Sequence, residues 1–421
     1  FSESWDVDFS WGSFSEYMDA LLSPGLSTNV APLVPHGSVR LSVMGHSTGK
    51  ASTTELEQMK SLVEEAMTAG AVGFSSGLEY SPGMYGDEDE LVALAAVSAK
   101  HGGIYASHIR NRGEQFKEAV EEALSICRRA GLPGQLSHLA PRPYAPDGTF
   151  DHVLEMVNRA REEENLTVGI DTFPDEWGPG MVVALLPPWV YEGERQEVLQ
   201  RLESPETVEK CRDHFSDPTN YLLRLGGLEK FYLSSSIAHP ELVGKNFVEI
   251  GHMFNCDPVE CIFRLVLADG VDFYNVMLRH IFATRLELEK LLMDPYCSIE
   301  SDGVVTATDG PLSNFTMNRS SFGYTIRFIE EYVIHRNIFS LEEAIRKMTS
   351  LPADSAGLSN RGRIEAGKAA DLVVLDLDKL ADNSTDEVPQ AYPSGVELVV
   401  VNGEVVLDHG HRLDILPGGL A

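Results

Sequence analysis

From about residue 38 to 175, short apolar runs alternate with amphipathic stretches, and each apolar run stops in small or polar residues. Val39 to Val43 stops at Gly45-His46-Ser47, Ala71-Val72-Gly73-Phe74 at Ser75-Ser76-Gly77, and Ile104-Tyr105-Ala106 at Ser107-His108. Gln135-Leu136 stops at Ser137-His138, and Val168-Gly169-Ile170 at Asp171. Between these runs the apolar residues recur at three and four positions, the spacing of a buried helix face. Thr54 with Glu57 reads as a capping box for the first such helix, which buries Leu56, Met59, Leu62, Val63, Ala66 and Met67 and stops at Gly70. Asp87 and Glu90 open the second, and Phe116, Ala119, Val120, Ala123, Leu124 and Cys127 form one stripe of the third, closed by Gly131.

The strand ends at 46, 75, 108, 138 and 171 recur every 29 to 33 residues. Strand and helix alternating at that period predict βα units in a parallel sheet, and in a βα barrel the chemistry collects at the C-terminal ends of the strands. A doubly wound open sheet is the alternative, but no G-x-G-x-x-G follows any strand. The rhythm breaks over about 174–296, a stretch with Pro-rich turns and one strand candidate at Phe231 to Ser236, read as an insertion. It resumes at Cys297-Ser298-Ile299-Glu300, ending at Ser301-Asp302-Gly303, with a helix over about 321–336 and another capped by Ser340 and Glu343. From about 361 the period changes to that of strands, two of them joined by an Asn402-Gly403 hairpin. The expected architecture is therefore a TIM-like (β/α) barrel over 1–360 and a small β module over 361–421. The barrel shows six strand ends, two short of eight.

Composition narrows the functional classes. A net charge of −31 argues against nucleic acid as a partner. A hydrophobic share of 43% supports a large core, while no run approaches 18 apolar residues and FSESWDVDFS resembles no signal peptide. Cys127, Cys211, Cys256, Cys261 and Cys297 lack framework spacing, so a reduced, cytoplasmic setting is expected.

His108 and His138 end consecutive strands in one register, and neighbouring parallel strands lie about 4.8 Å apart. A lone histidine at a strand end is ordinarily a hydrogen-bonded surface residue. Two in successive units, with Asp302 at the end of a later strand, turn the reading toward a metal site, because imidazole and carboxylate together suit zinc. Asp302 has a second reading as proton shuttle for a metal-bound water, and a third as a helix N-cap before Gly303.

The chain resembles the N-acyl-D-amino-acid deacylases (D-aminoacylases) of the amidohydrolase superfamily. The matching segments are GHST from Gly45, GFSSGLEYSPGMYGDEDEL from Gly73, YASHIRNRGE from Tyr105, QLSHLAP from Gln135, ESDG from Glu300, EEAIRKMTSLPADSAGLSNRGRIEAGKAADLVVLD from Glu342 and VVVNGEVV from Val399. The resemblance implies a zinc-dependent hydrolase on a βα barrel with a small β-sandwich, releasing a D-amino acid and a carboxylate from an N-acyl-D-amino acid. It implies zinc ligation by His108 and His138, general base and acid work by Asp302, and a substrate carboxylate held by Arg319.

Several positions depart from that pattern. No His-x-His or cysteine ends a strand upstream of Val39, and the His409-Gly410-His411 pair lies past the terminal hairpin and is read as a decoy. Ala140 stands where a lysine is expected, Phe173-Pro174-Asp175 where Tyr-Pro-Tyr is expected, and Met317-Asn318 where His-Pro is usual. The two strands short of eight are those that would carry the absent ligands. Together with Phe1 in place of an initiating Met, this sets the expectation of a barrel lacking its first two βα units. Hydrolysis of a cyclic amide or a dipeptide is the rival enzymatic reading, and a truncated, non-catalytic relative is the rival of a different class.

Overall fold

The computed structural model describes residues 9–217, 220, 225–314, 318–386 and 388–421. In chain order the strands are β1 (Leu33–Pro35), β2 (Gly73–Gly77), β3 (Ile104–His108), β4 (Gly134–Leu136), β5 (Val168–Thr172), β6 (Trp177–Met181) and β7 (Tyr232–Ser235). They continue as β8 (Met277–Ile281), β9 (Cys297–Ile299), β10 (Leu372–Leu375), β11 (Val396–Val401), β12 (Glu404–Asp408) and β13 (His411–Arg412). The central sheet runs β1-β2-β3-β4-β5-β9, parallel throughout. Among the described residues it has six strands, with β1 and β9 as its edges.

Helices Thr53–Thr68, Glu88–Lys100, Phe116–Ala130 and Thr149–Glu162 connect successive strands of this sheet. The predicted stripe residues Met59, Val63, Ala66, Val120 and Leu124 are buried in one apolar core with Leu91, Leu94, Phe74, Tyr105 and Ile170. Asp87 caps its helix by accepting from the Glu90 amide, and Gly131 closes the Phe116–Ala130 helix at φ 73, a left-handed conformation that glycine adopts without a Cβ clash. The capping box at the head of the first helix belongs to Ser52 and Glu55, two residues before the expected pair.

The first strand departs from expectation more. The run Val39 to Val43 is helical, within His36–Met44, and the strand is the shorter Leu33–Pro35 before it. A short apolar run fits either period, and a polar constraint decides this one. His36 and Arg40, one helical turn apart, both reach the buried Glu90 carboxylate, at 2.8 Å from His36 Nε2 and 2.6 Å from Arg40 Nη1. An extended chain would send those side chains apart and leave Glu90 buried without a cation. His46 therefore ends no strand; it lies 38% exposed, 3.7 Å from Glu194.

The stretch after Asp171 holds more order than its turns suggest. The strand expected near Phe231 is β7, and β6 and β8 join it in an antiparallel sheet ordered β6-β8-β7. Val182, Val183, Val190, Leu233, Phe247, Phe263 and Leu278 make a second apolar core here. In the tail, β10 to β13 form an antiparallel sheet, and the β11–β12 hairpin turns at Asn402 and Gly403, both at positive φ as expected. His409 bonds Glu397 on the outside of this sheet, 76% exposed. All five cysteines are free thiols, and among the described residues no helix is long and apolar enough to cross a membrane.

One buried cation ties the tail to the central sheet. Arg327 donates from Nε to Asp382 Oδ2 at 2.7 Å and from Nη2 to Ser384 Oγ at 3.2 Å, while Nη1 pairs with Asp175, just past β5. Replacing Arg327 with Ala leaves the buried Asp382 carboxylate without its cation and Asp175 with Arg319 alone, so Arg327→Ala is expected to cost about 3–5 kcal/mol. Urea unfolding reads this as a lowered midpoint, and an unchanged midpoint would contradict the clamp.

Candidate active site

Strand register brings the two histidines together. Ser107 of β3 pairs with Leu136 of β4, so His108 ends one strand beside the residues that follow the other. His138 completes the approach by adopting φ 37, a left-handed conformation that non-glycine residues hold only when their surroundings impose it. Its amide donates to Asp171 Oδ1 at 2.7 Å and its carbonyl accepts from Arg112 Nη1 at 3.2 Å. Asp171 also accepts from Gln135 Nε2 at 2.7 Å. A Cβ at position 169 would strike Gln135, so Gly169 is what lets that side chain pass.

The hydrogen bonds fix both tautomers. His108 Nε2 lies 2.9 Å from Glu79 Oε2, and its Nδ1 lies 2.9 Å from His138 Nε2. A carboxylate only accepts, so His108 donates from Nε2 and carries a lone pair on Nδ1. His138 then donates from Nε2 and carries its own lone pair on Nδ1, which is buried with no partner. Burial, the largest influence on both rings, pushes their pKa values down, His138 well down with Arg112 and His108 adding to the effect. Both imidazoles are therefore neutral at pH 7, the form that binds metals.

Burial alone would push the Glu79 carboxyl up, but Arg142, at 3.0 Å from Oε2, and His108 hold it well below its ordinary range. The opposite holds for Asp171, Glu300 and Asp302. Burial raises all three, the Asp302 charge adds to the rise of Asp171, and the charges of Asp171 and Asp302 add to that of Glu300. Asp302, at φ 43, donates its amide to Glu300, whose Oε1 is buried without a partner.

Glu79, His108, His138, Arg142, Asp171, Glu300 and Asp302 all line one cleft of about 1030 Å3. Its other wall is apolar and comes from the stretch after Asp171, through Met181, Leu185, Tyr191, Phe231, Met277 and Leu278. The structure thus brings three of the four expected site residues together. It does not bring Arg319, whose Nε donates to Asp175 Oδ2 at 2.8 Å in a neighbouring polar cavity of about 340 Å3. Asp175, in place of a tyrosine, draws Arg319 there, and Phe173 packs on Phe282 with ring centroids 4.4 Å apart. Met317 lies outside the described residues.

Sequence reasoning missed Glu79, Arg142, Glu300 and His280 as site residues and gave Asp171 no role. A signal existed for most of them: Glu79 lies in the loop after β2, Arg142 four residues beyond His138, and Glu300 two before Asp302. For a metal, the donor set is two neutral imidazoles, one with an unpartnered buried lone pair. Among the described residues no three His, Cys, Asp or Glu side chains converge to hold an ion. Among the described residues His108 and His138 thus furnish two nitrogen donors side by side, one fewer than the three protein ligands of a catalytic zinc.

The three carboxyls give a pH signature. A carboxyl whose folded pKa is raised binds more protons in the native state, so it destabilises the fold as pH rises from the ordinary 3.8 through about 6, the value of Asp171. Glu300→Gln removes one charge from the cluster. Urea titrations are expected to show the variant matching the parent near pH 4 and exceeding it at pH 7; curves that stay parallel across that range would contradict the repulsion.

Similarity to known proteins agrees with this geometry. An amidohydrolase family model matches residues 258–407. The N-acyl-D-glutamate deacylase of Alcaligenes xylosoxydans xylosoxydans is 31% identical over 387 residues, spanning 92% of this chain and 68% of that protein. The D-aminoacylase of the same organism is 28% identical, over 93% of this chain and 70% of its own length. A solved N-acyl-D-glutamate deacylase from Bordetella bronchiseptica, complexed with zinc and a phosphonate mimic of the tetrahedral intermediate, superposes with a TM-score of 0.78 at 27% identity, over 97% of this chain and 75% of that one. With relatives at that identity and coverage, the chain belongs to the N-acyl-D-amino-acid deacylases of the amidohydrolase family.

Proposed function

We propose that the chain hydrolyses the amide bond of an N-acyl-D-amino acid, releasing the D-amino acid and a carboxylate, within a frame of a catalytic portion over 1–360 and a β module over 361–421. The observation that carries this reading is the convergence of two neutral imidazoles and a buried Asp302 on one cleft, with the His138 Nδ1 lone pair unpartnered. The relatives' activities and the zinc in the Bordetella bronchiseptica enzyme support the reaction class.

His108 and His138 would hold the metal, which when bound supplies an acidified water and polarisation of the acyl carbonyl. Glu79 positions His108 by fixing its tautomer, and Arg112 and Asp171 position His138 through its backbone. Asp302 takes the proton of the attacking water at its carboxylate and gives it to the leaving nitrogen, so that the amine departs neutral. Burial suits this work, because a carboxyl with a raised pKa is a stronger base than a solvated one. The apolar wall on the other side of the cleft limits the entry of bulk water.

The test is amine release from N-acetyl-D-amino acids, their L enantiomers, hydantoins and dipeptides by the zinc-supplied chain. Release from the D compounds is expected, with Asp302→Asn lowering kcat by about 10²–10⁴-fold. No D-specific release, or an Asp302→Asn variant with undiminished kcat, would overturn the proposal.

A further inference from the structure

We infer that the protein takes D-amino acids bearing a fatty acyl tail rather than a short acyl group, and that the tail runs from the cleft into a second cavity. The inference rests on the deacylase reading. At about 1030 Å3 the cleft lies at the top of the ~300–1,000 Å3 range in which pockets hold drug-sized ligands, and an N-acetylated amino acid leaves much of it unfilled. A cavity of about 460 Å3 adjoins it, with Ala184, Leu185 and Tyr191 lining both. One apolar stretch of the chain connects the two. Met181, paired across the sheet with Met277, faces the cleft; Ala184 and Leu185 stand where the cavities meet, and Leu186 and Pro187 line the second.

Strand order sets the direction of the tail. Asp302 follows β9, an edge of the central sheet, whereas His108 ends β3, three strands away in the order β3-β4-β5-β9. Because Asp302 gives its proton to the leaving nitrogen, the amine half of the substrate lies on the β9 side of the scissile carbon. The acyl half then points back past the histidines. The second cavity opens on that side, since Asn111 and Gln115, between β3 and the helix Phe116–Ala130, line it. A Cα substituent travels with the amine half and stays in the cleft, so the acyl tail is the part of the substrate carried to Ala184. Methylenes laid on this wall leave water in the ground state and the transition state alike, which lowers KM and leaves kcat as it is.

Steady-state hydrolysis of acetyl-, butanoyl-, hexanoyl- and octanoyl-D-alanine by the zinc-supplied protein tests the inference. KM is expected to fall roughly two- to fourfold for each added methylene, with kcat held. Ala184→Trp fills the junction of the two cavities and is expected to raise KM for the octanoyl compound roughly tenfold or more. Met181→Gln keeps the side-chain length but presents a polar surface, and is expected to lessen the gain per methylene along the series. Acetyl-D-alanine reports in each variant that the fold and the chemistry are intact, and its constants are expected to stay unchanged; if Ala184→Trp fails to fold, Met181→Gln carries the test. A KM independent of acyl length, a gain that appears on lengthening the Cα substituent instead, or an octanoyl KM untouched in the folded variants would overturn the inference and leave the deacylase reading in place. Failure to hydrolyse any of the D compounds, acetyl-D-alanine included, would sink both.

Discussion

Parallel pairing of β3, β4 and β5 is the constraint on which the rest of the structure depends. A parallel ladder places residues of neighbouring strands side by side, so two histidines 30 residues apart in sequence end with nitrogens 2.9 Å apart. A slip of one residue would send each side chain to the opposite face of the sheet and separate them. Asp171 at the end of β5 then pins the turn after β4, by accepting from the His138 amide and from Gln135. The left-handed backbone at His138 is held by bonds that the sheet itself supplies.

Charge in the cleft is arranged against the character of the whole molecule. The chain carries a net −31, yet its two imidazoles are kept neutral and its buried carboxyls Asp171, Glu300 and Asp302 are pushed toward the protonated form. Glu79 is the exception and stays ionised because Arg142 and His108 both face it. One fixed anion, the guanidinium beside it and three carboxyls pushed toward the protonated form thus share the cleft with the neutral imidazoles. The global charge is carried by the surface and says little about what the cleft binds.

The sheet and the placing of His108, His138 and Asp302 at one cleft were legible in the sequence because both depend on local periods. Strands that end in small or polar residues every 30 or so positions place His108, His138 and Asp302 without any knowledge of packing. The start of the sheet was not legible, since the run from Val39 to Val43 suits strand and helix equally and the outcome rests on Glu90, some fifty residues away. The place of Arg319 was not legible for the same physical reason. Its destination is set by Asp175, a partner 144 residues distant that replaces an expected tyrosine. Arg142 and Glu79 were hidden because a loop charge acquires meaning only when another loop meets it. The antiparallel sheet of β6, β7 and β8 pairs segments about 100 residues apart, and its Gly- and Pro-bearing β6 gives little strand signal.

The neutral histidine pair, lying beside a buried aspartate and the fixed Glu79, is the part of the proposed site most open to direct test. X-ray absorption at the zinc edge, on the chain loaded with one equivalent of metal, tests them directly. The predicted first shell contains two imidazole nitrogens at about 2.0–2.1 Å, with one of them lost in His108→Ala and in His138→Ala. A shell without imidazole, or one that neither substitution changes, would contradict the account.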